Sequence, residues 1–365
     1  MLNNKIFLIV VFILPFIITG CKKSDGVIDV QPVKDPRTYT WTTDTLGYPG
    51  SSQTLMYDIW GSSPNDVYAV GHNSQNRGLM WHYDGNKWTN VHLITDEGGQ
   101  IFAAIDLTSI YGFSSTDIYA AGSIIGYNPN PPPTFIDSSL IIHYDGSIWK
   151  RVNNYGGRTL TALYGKSAND VWAGGVKNTL YHYNGSKWQT DSINIILPEE
   201  YLLQIGSISS YNGSYYAVTN SNDNQGHSTY YLYKEFNNTW TVQDSFYPGQ
   251  VKFGGILNRS NTGSFYSNGN GGVYKYNGTN WDNIFINPNI YIDCIWGTSD
   301  ENIFAVSNGG GGKVFHFNGT DWKEIEQLNN TQSDYFGVWT DGTEAFVVGH
   351  INDGVAQKTI ILHGK

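Results

Sequence analysis

Six carboxylates of this sequence are candidates for a catalytic pair that could support hydrolysis. A glycoside hydrolase needs two carboxyl groups roughly 5 to 10 Å apart, one to protonate the leaving oxygen and one to act as nucleophile or base. No spacing singles out a pair, and we find no nucleophile with an adjacent base, no phosphate loop and no zinc spacing. We predict no catalytic residue, metal site or cofactor, and keep a carbohydrate-active enzyme as the alternative. The six carboxylates are Asp96, Glu97, Asp137, Glu199, Glu200 and Asp334.

The N-terminal segment combines the features of an export signal. One positive charge at Lys5 precedes an apolar run over residues 6–18, which is too short to span a bilayer comfortably. The run ends in Ile18-Thr19-Gly20-Cys21, which resembles the lipobox of bacterial lipoproteins, where a small residue precedes the lipidated cysteine. The resemblance implies that residues 1–20 are a signal peptide and that Cys21 carries acyl chains. Residues 21–37 then form a flexible tether, and the anchor places the protein at a bacterial outer membrane, on its periplasmic or cell-surface side.

The composition excludes several classes of protein. With 14% charged and 15% aromatic residues the chain is not disordered, and two cysteines cannot build a disulfide scaffold. Acidic residues (31) outnumber basic ones (21), so the formal net charge is −10 and nucleic acid is not an expected partner. If Cys21 is acylated, Cys294 has no partner, and we predict a buried, inert thiol.

A repeated unit covers most of the chain. Its first copy reads Asp-Ile-Trp-Gly-Ser-Ser-Pro-Asn-Asp-Val-Tyr-Ala-Val-Gly from Asp58, followed by Trp-His-Tyr-Asp-Gly-Asn-Lys-Trp from Trp81. The mean period between Trp60 and Trp339 is about 46 residues, the length of a four-stranded propeller blade. The fourth and fifth copies are degenerate. The copies begin near residues 58, 109, 162, 207, 255, 295 and 338.

Each copy divides into four short apolar strands. In the first, these are about residues 55–60, 67–71, 79–83 and 87–91, and Asp84-Gly85 is a strong hairpin signal between the last two. Such a blade cannot bury both faces alone, but it can when blades stack radially. We predict an all-β propeller of seven four-stranded blades, with six or eight as alternatives.

The seventh copy ends at Lys365, before its last strand. A segment with a suitable tryptophan, Trp41, lies instead ahead of the first copy. We predict that this N-terminal strand completes the last blade, so that residues 38–365 form a single closed domain without an open edge.

The Trp-Gly, Asn-Asp-Val-x-Ala-x-Gly and His-Tyr-Asp-Gly-x-x-Trp elements resemble the propeller repeats of Bacteroidota-like lipoproteins, and more distantly Ycf48- and BNR-type propellers. The resemblance covers about residues 38–365 and implies the fold rather than a ligand. The Asp-Gly-x-x-Trp spacing differs from the sialidase Asp-box, Asp-x-Gly-x-x-Trp. Only five arginines are present, so the sequence gives no sign of the arginine cluster that a sialidase needs.

Several residues that could bind a ligand recur at equivalent positions of different repeats. Equivalent positions of different blades are spread around a ring and cannot converge on one ion, so we predict hydrogen-bonding histidines and interblade tryptophans rather than a metal site. We predict that Asp66, Asp117 and Asp170 accept backbone N–H bonds in their turns. The histidines are His82, His143, His182, His316 and His363, and the tryptophans are Trp88, Trp149, Trp188, Trp240, Trp281 and Trp322.

Loop lengths distinguish the two faces of the predicted disc. The turns within each copy are short on one face, whereas the connections on the other vary widely, as at residues 92–104, 123–139 and 189–203. Variable loops on a rigid scaffold are where recognition is usually built. We therefore predict a noncatalytic, monomeric binding or scaffold lipoprotein whose loop face contacts a protein or polysaccharide. The candidate contacts are Tyr127, Phe135, Tyr155, Arg158, Tyr201, His227, Tyr247, Tyr291 and Tyr335.

Overall fold

Short antiparallel strands make up almost all of the regular structure. The computed structural model describes residues 34–75, 79–93, 104–127, 135–153, 156–193, 202–222, 228–247, 252–260, 262–352, 354 and 356–365. Within these residues no helix has the length and hydropathy needed to cross a bilayer. The two helical segments described are single 3-10 turns, Pro36–Thr38 and Glu326–Leu328.

The strands follow the repeats in chain order. The first strand and the first three repeats comprise β1 (Trp41–Leu46), β2 (Thr54–Ser63), β3 (Asp66–Asn73), β4 (Met80–Tyr83), β5 (Trp88–Asn90), β6 (Ala104–Ser114), β7 (Asp117–Tyr127), β8 (Phe135–Tyr144), β9 (Trp149–Arg151), β10 (Leu160–Ser167), β11 (Asp170–Gly175), β12 (Leu180–Tyr183) and β13 (Trp188–Asp191). The later repeats comprise β14 (Leu202–Tyr211), β15 (Ser214–Asn222), β16 (Ser228–Phe236), β17 (Thr239–Phe246), β18 (Gly255–Leu257), β19 (Tyr266–Tyr276), β20 (Trp281–Ser299), β21 (Asn302–Asn308), β22 (Lys313–Phe317), β23 (Trp322–Glu324), β24 (Ser333–Thr340), β25 (Ala345–Asn352) and β26 (Gln357–Gly364).

The Asp-Gly and Asn-Gly pairs form the tight turns before the outer strands. In the first repeat Asp84 Oδ1 accepts hydrogen bonds from the backbone N–H groups of Asn86 and Lys87, both at 2.9 Å. These donors lower the pKa of the Asp84 carboxyl. Gly85 follows with a φ of 88°, a conformation that favours glycine. The side chains of Asp145, Asn184, Asn277 and Asn318 close the equivalent turns in the same way.

The strands form an all-β propeller of six hydrogen-bonded sheets rather than the predicted seven four-stranded blades. Five sheets have four strands, and the sixth joins β18 to β23 in the order β18-β19-β20-β21-β22-β23. The long strand β20 unites the fifth and sixth repeats because Tyr291 pairs with Asn270 of β19 on one side and with Asn308 of β21 on the other. The chain between Ile286 and Tyr291 therefore stays extended within one strand.

The N-terminal strand closes the ring as predicted. Strand β1 pairs antiparallel with β26, from Trp41 opposite Gly364 to Leu46 opposite Thr359. The Trp41 ring lies so close to Gly364 that a Cβ there would meet it at 2.8 Å. The first and last strands that the structure describes are therefore held in one sheet, which leaves no unpaired edge between them.

The last residues of the predicted tether contact the propeller. Residues Lys34–Lys365 form one compact unit. The Arg37 guanidinium pairs with the Asp321 carboxylate at 2.9 Å and donates to the His316 carbonyl at 3.2 Å. The Lys34 ammonium donates to the Lys365 carbonyl at 2.9 Å.

The repeated histidines stabilise individual repeats, as predicted. Each lies 2.5 to 3.0 Å from an acid or amide oxygen next to the start of the neighbouring strand. Four of the rings stack on an aromatic side chain with centroids 4.0 to 4.3 Å apart, and His316 lies tilted against its partner at 4.8 Å. The carboxylates of Asp66, Asp117 and Asp170 bind these histidines, not the backbone N–H groups that we predicted. The aromatic partners are Tyr68, Tyr119, Trp172, Phe304 and Phe346.

Most of the repeated tryptophans pack between neighbouring repeats, as predicted. Trp149 lies edge-on to Tyr68 of the preceding repeat at 5.8 Å, and Trp240 lies edge-on to Trp172 at 5.3 Å. Trp188 contacts Tyr119 in the same way at 5.9 Å. Much of the aromatic content is therefore core.

Candidate functional site

A β-bulge recurs at one position of the innermost strand in six of the seven repeats. Each bulge leaves one residue out of the pairing register and turns it away from the sheet. These residues are more exposed than the buried ones that precede them in the strand. We call them the bulge ring: Tyr57, Thr108, Thr161, Gly206, Asp293 and Phe336.

The bulge ring lines a central cavity of about 250 Å³. Residues of all seven repeats contribute to its wall, including Ile256 of the fifth repeat, where no bulge occurs among the paired residues. The hydroxyls of Thr108 and Thr161 donate to backbone carbonyls of the next repeat, which ties neighbouring inner strands together. The bulges thus bring unlike side chains to one place around the ring axis.

A buried ion pair crosses this channel. Arg259, which follows the innermost strand of the fifth repeat, places its guanidinium 2.9 Å from the Asp58 carboxylate in the first repeat. It also donates to the Ser109 hydroxyl of the second repeat at 2.6 Å. Asp58 accepts further bonds from the backbone N–H groups of Ile59 and Ile110, both at 3.0 Å. Three repeats are therefore linked across the axis, and the arginine closes part of the cavity.

Asp293 is the carboxylate of the bulge ring. Burial, together with the negative charge of Asp334, raises the pKa of its carboxyl to about 7. The Asn268 amide donates to the Asp293 carbonyl at 3.1 Å and fixes the backbone there. Asp334 in turn accepts the Gly309 N–H at 2.9 Å. The Asp293 carboxyl therefore holds a proton more readily than an ordinary aspartate does.

Two aromatic side chains of the bulge ring line the cavity, and histidines lie near them in the first and seventh repeats. Phe336 lies edge-on to Tyr57 at 6.1 Å and stacks on His350 at 4.9 Å. His72 hydrogen-bonds the Asp106 carboxylate. His72 and His350 follow the same Val-Gly pair in their repeats, a signal that the sequence analysis missed. Among the described residues no cluster of three or more histidine, cysteine or acidic side chains could hold a metal ion.

Cys294 lies next to Asp293 in the cavity wall. Burial raises the pKa of its thiol to about 11, so the thiol is protonated at neutral pH. A protonated thiol fits the predicted lack of reactivity, because the thiolate is the nucleophilic form, but the residue is partly exposed at the cavity rather than buried as predicted.

The predicted contact residues are dispersed. Tyr247 is 56% exposed, and Arg158 and Tyr291 are partly exposed. Burial, then the charge of Asp293, raises the pKa of Tyr291. Tyr335 was a wrong choice for a surface contact, because it is 1% exposed and its hydroxyl donates to the Leu328 carbonyl.

The other predicted residues have less or no structural description. Tyr127 and Phe135 face each other in register at the ends of β7 and β8. Tyr155, Tyr201, His227 and Cys21 lie outside the described residues, as do the carboxylates Asp96, Glu97, Glu199 and Glu200. Of the remaining two carboxylates, Asp137 accepts the Thr159 hydroxyl at 2.7 Å, and Asp334 lies beside Asp293, which we had not predicted.

Known proteins resemble this chain in fold. No protein-family model and no curated protein sequence matches it. A structure of YCF48 bound to D1 peptide is similar with a TM-score of 0.56 at 14% identity, covering 91% of this chain and 95% of that one. YCF48 from Cyanidioschyzon merolae gives 0.54 at 14% identity, covering 88% and 98%. The extracellular domain of the one component system BT4673 from B. thetaiotaomicron gives 0.49 at 13% identity, covering 87% and 39%. The chain is therefore a β-propeller structurally similar to YCF48, and identity this low shows the fold alone.

Proposed function

We propose that this chain is a noncatalytic binding protein that receives a segment of a protein partner at the central cavity. The observation that carries the proposal is the bulge ring. The same β-bulge occurs six times, yet the residues that it leaves unpaired differ. They present phenol, hydroxyl, hydrogen, carboxyl and phenyl groups to the same cavity. Structural positions keep their residue types in the regular repeats, whereas this position differs at almost every repeat.

The size and closure of the cavity support a segment as its occupant. At about 250 Å³ the cavity is smaller than the roughly 300 Å³ at which sites for free small molecules begin. It can accept side chains presented by an extended chain. The Arg259–Asp58 ion pair gives the cavity a fixed polar wall on which such side chains can be ordered.

The similarity to YCF48 supports a peptide as the kind of partner. That protein, which shares the propeller fold, has a structure with D1 peptide bound. Seven repeats line the cavity here, and we propose that the six-stranded sheet acts as two blades, so that a partner meets a seven-fold arrangement.

The location of the protein at the outer membrane is part of the proposal, and it rests on the sequence. Acylation of Cys21 would tether the propeller to the outer membrane, on its periplasmic or cell-surface side. The loop connections, with Arg158, Tyr247 and Tyr291, would then surround the partner as it enters.

A peptide-display selection against the full chain tests the proposal. We expect enriched peptides that bind in extended form and that compete with one another for one site. Selection of no peptide, or of peptides that bind equally well when the cavity is filled by a larger side chain, would contradict it.

The alternative, a carbohydrate-active enzyme, has one observation in its favour. The charge of Asp334 helps to raise the pKa of Asp293, and a carboxyl with a raised pKa next to a second carboxylate is the pattern of a general acid and its partner. Release of reducing ends from a polysaccharide panel would support it, provided that Asp293→Asn and Asp334→Asn each abolish the release.

A further inference from the structure

The interface between the fourth and fifth repeats lacks the packing found at the regular interfaces. By analogy with Trp149 on Tyr68, Trp281 of the fifth repeat should lie edge-on to Tyr216 of the fourth. Instead Phe265 stands between them, 4.8 Å from the Tyr216 ring and 5.2 Å from the Trp281 ring. The outer halves of the two repeats are therefore held apart.

The separation leaves a groove of about 350 Å³, larger than the central cavity. We call it the rim groove. Tyr216 and Phe265 are buried behind it, whereas Tyr276 and Trp281 are partly exposed, with ring centroids 5.2 Å apart. The groove thus offers two accessible rings backed by a packed aromatic cluster, which gives a rigid apolar platform.

Polar side chains line the rest of the rim groove. Gln243 is the bulged residue of β17, left out of the pairing between Leu232–Asp244 and Tyr233–Val242. The Lys252 ammonium pairs with the Asp244 carboxylate at 2.9 Å, so the two charges neutralise each other. The side chains of Thr279 and Asn280 complete the lining from the turn before Trp281.

We propose that the rim groove is a binding site for a neutral carbohydrate. A pyranose ring has an apolar C–H face that can pack on Trp281 and Tyr276 and hydroxyls that can both donate to and accept from amides. The paired Asp244 and Lys252 attract neither an anion nor a cation strongly, but each can hydrogen-bond a hydroxyl.

The polar lining favours a sugar over an apolar side chain of a protein partner. An apolar occupant would remove Gln243, Asn280 and the ion pair from water without replacing their hydrogen bonds, at a cost for each group left unpaired. Sugar hydroxyls replace those bonds. The site is separate from the central cavity and goes beyond the proposed peptide-binding function.

Neutral oligosaccharides with β-glucan, xylan, mannan and chitin linkages are the probes, and polygalacturonate is the charged comparator. We expect calorimetry on the full chain to show that at least one neutral oligosaccharide binds and that the charged one does not. Gln243→Ala and Asn280→Ala, which change exposed polar side chains, should each weaken binding about tenfold, as expected for the loss of one or two hydrogen bonds.

Lys187→Ala is the matched control, because Lys187 holds the same turn position as Asn280, one residue before the tryptophan of the third repeat. It should bind the oligosaccharide with unchanged affinity. Binding of none of the neutral oligosaccharides would overturn the proposal, as would binding that both groove variants leave unchanged or that polygalacturonate shares. A variant that fills the central cavity should leave sugar binding intact, so failure here and failure of the peptide proposal can be told apart.

Discussion

The regular repeats and the degenerate fourth and fifth repeats place different side chains against the aromatic ring of the neighbouring strand. In the regular ones a histidine stacks on an aromatic ring and binds an acid or amide, as His143 does with Tyr119 and Asp117. In the fourth repeat a lysine takes the place of the histidine, and Lys234 lies 5.7 Å from the Tyr216 ring. In the fifth, Lys275 lies 5.4 Å from Tyr266. Neither lysine can stack flat on its ring as an imidazole does.

The degenerate repeats also carry the most accessible apolar side chains of the described residues. Phe236, Val242, Tyr247 and Ile286 are 52 to 72% exposed, and all four belong to the fourth and fifth repeats. Arg259 and the rim groove belong there too. Loss of the repeat pattern therefore coincides with the part of the ring that carries the exposed apolar side chains, Arg259 and the rim groove.

The largest effect should come from breaking the link that the fifth repeat makes to the regular ones. Asp58→Ala leaves the Arg259 guanidinium buried without its carboxylate, so we expect the free energy of unfolding to fall by about 3 to 5 kcal/mol in urea titrations. The double variant Asp58→Ala, Arg259→Met should recover part of that loss. A cost below about 1 kcal/mol for the single variant would show that the pair does not hold the ring together.

The tryptophans test whether the two kinds of interface differ in packing. Trp149→Ala removes a side chain that is 5% exposed, and we expect a loss of about 3 to 4 kcal/mol in unfolding free energy. Trp281→Ala removes a partly exposed ring from the rim groove and should cost roughly half as much. Equal costs would mean that the interface of the fourth and fifth repeats is packed as tightly as the regular ones.

Asp293 should make stability depend on pH in an unusual direction. Its pKa is raised to about 7 in the folded chain, so the folded state binds the proton more tightly than the unfolded state does. Stability is therefore lost as the pH rises from about 4 through 7. Asp293→Asn should match the wild type at pH 4 and exceed it by about 3 to 4 kcal/mol at pH 8, measured by thermal unfolding. Destabilisation of the variant at pH 8 would instead indicate a cation paired with the carboxylate.

The smallest effect concerns the substitution of lysine for histidine in the fourth repeat. His143→Gln removes a stacked ring and a 2.7 Å hydrogen bond, and should cost about 1 kcal/mol. Lys234→Gln removes a distant cation–π contact and should cost only a few tenths of a kcal/mol. Chemical denaturation of the two variants measures both, and a Lys234 effect as large as that of His143 would remove this distinction between the repeats.

Periodicity in the sequence was enough to predict the propeller, its closure by Trp41 and the roles of the repeated histidines. Each of these predictions depends on residues that recur in the repeats, and none depends on the segments that connect one repeat to the next. The count of sheets was not predictable in this way, because it depends on whether the short stretch between Ile286 and Tyr291 turns or stays extended.

The central cavity escaped prediction for a different reason. A bulge is set by the register between two strands, and the partner of Arg259, Asp58, lies 201 residues away in the chain. Tyr335 was misassigned because its aromatic side chain suggested a contact, although it holds the repeat position of Met56, which is fully buried. Comparing the residue immediately before each Ile-Trp-Gly or Val-Trp-Thr element would have singled out Asp58 and Cys294, and with Cys294 its neighbour Asp293.

The most direct test of the account is to fill the cavity without disturbing its backbone. Gly206 is the bulge-ring residue without a side chain, and a Cβ there would come no closer than 4.0 Å to another atom. Ser62 lies at the opposite mouth of the channel, so Ser62→Trp is the matched control for Gly206→Trp. With a display-selected peptide as the probe, we predict that Gly206→Trp weakens binding at least a hundredfold and that Ser62→Trp leaves it unchanged. Unchanged binding to Gly206→Trp would contradict the central claim that the bulge ring is the recognition site.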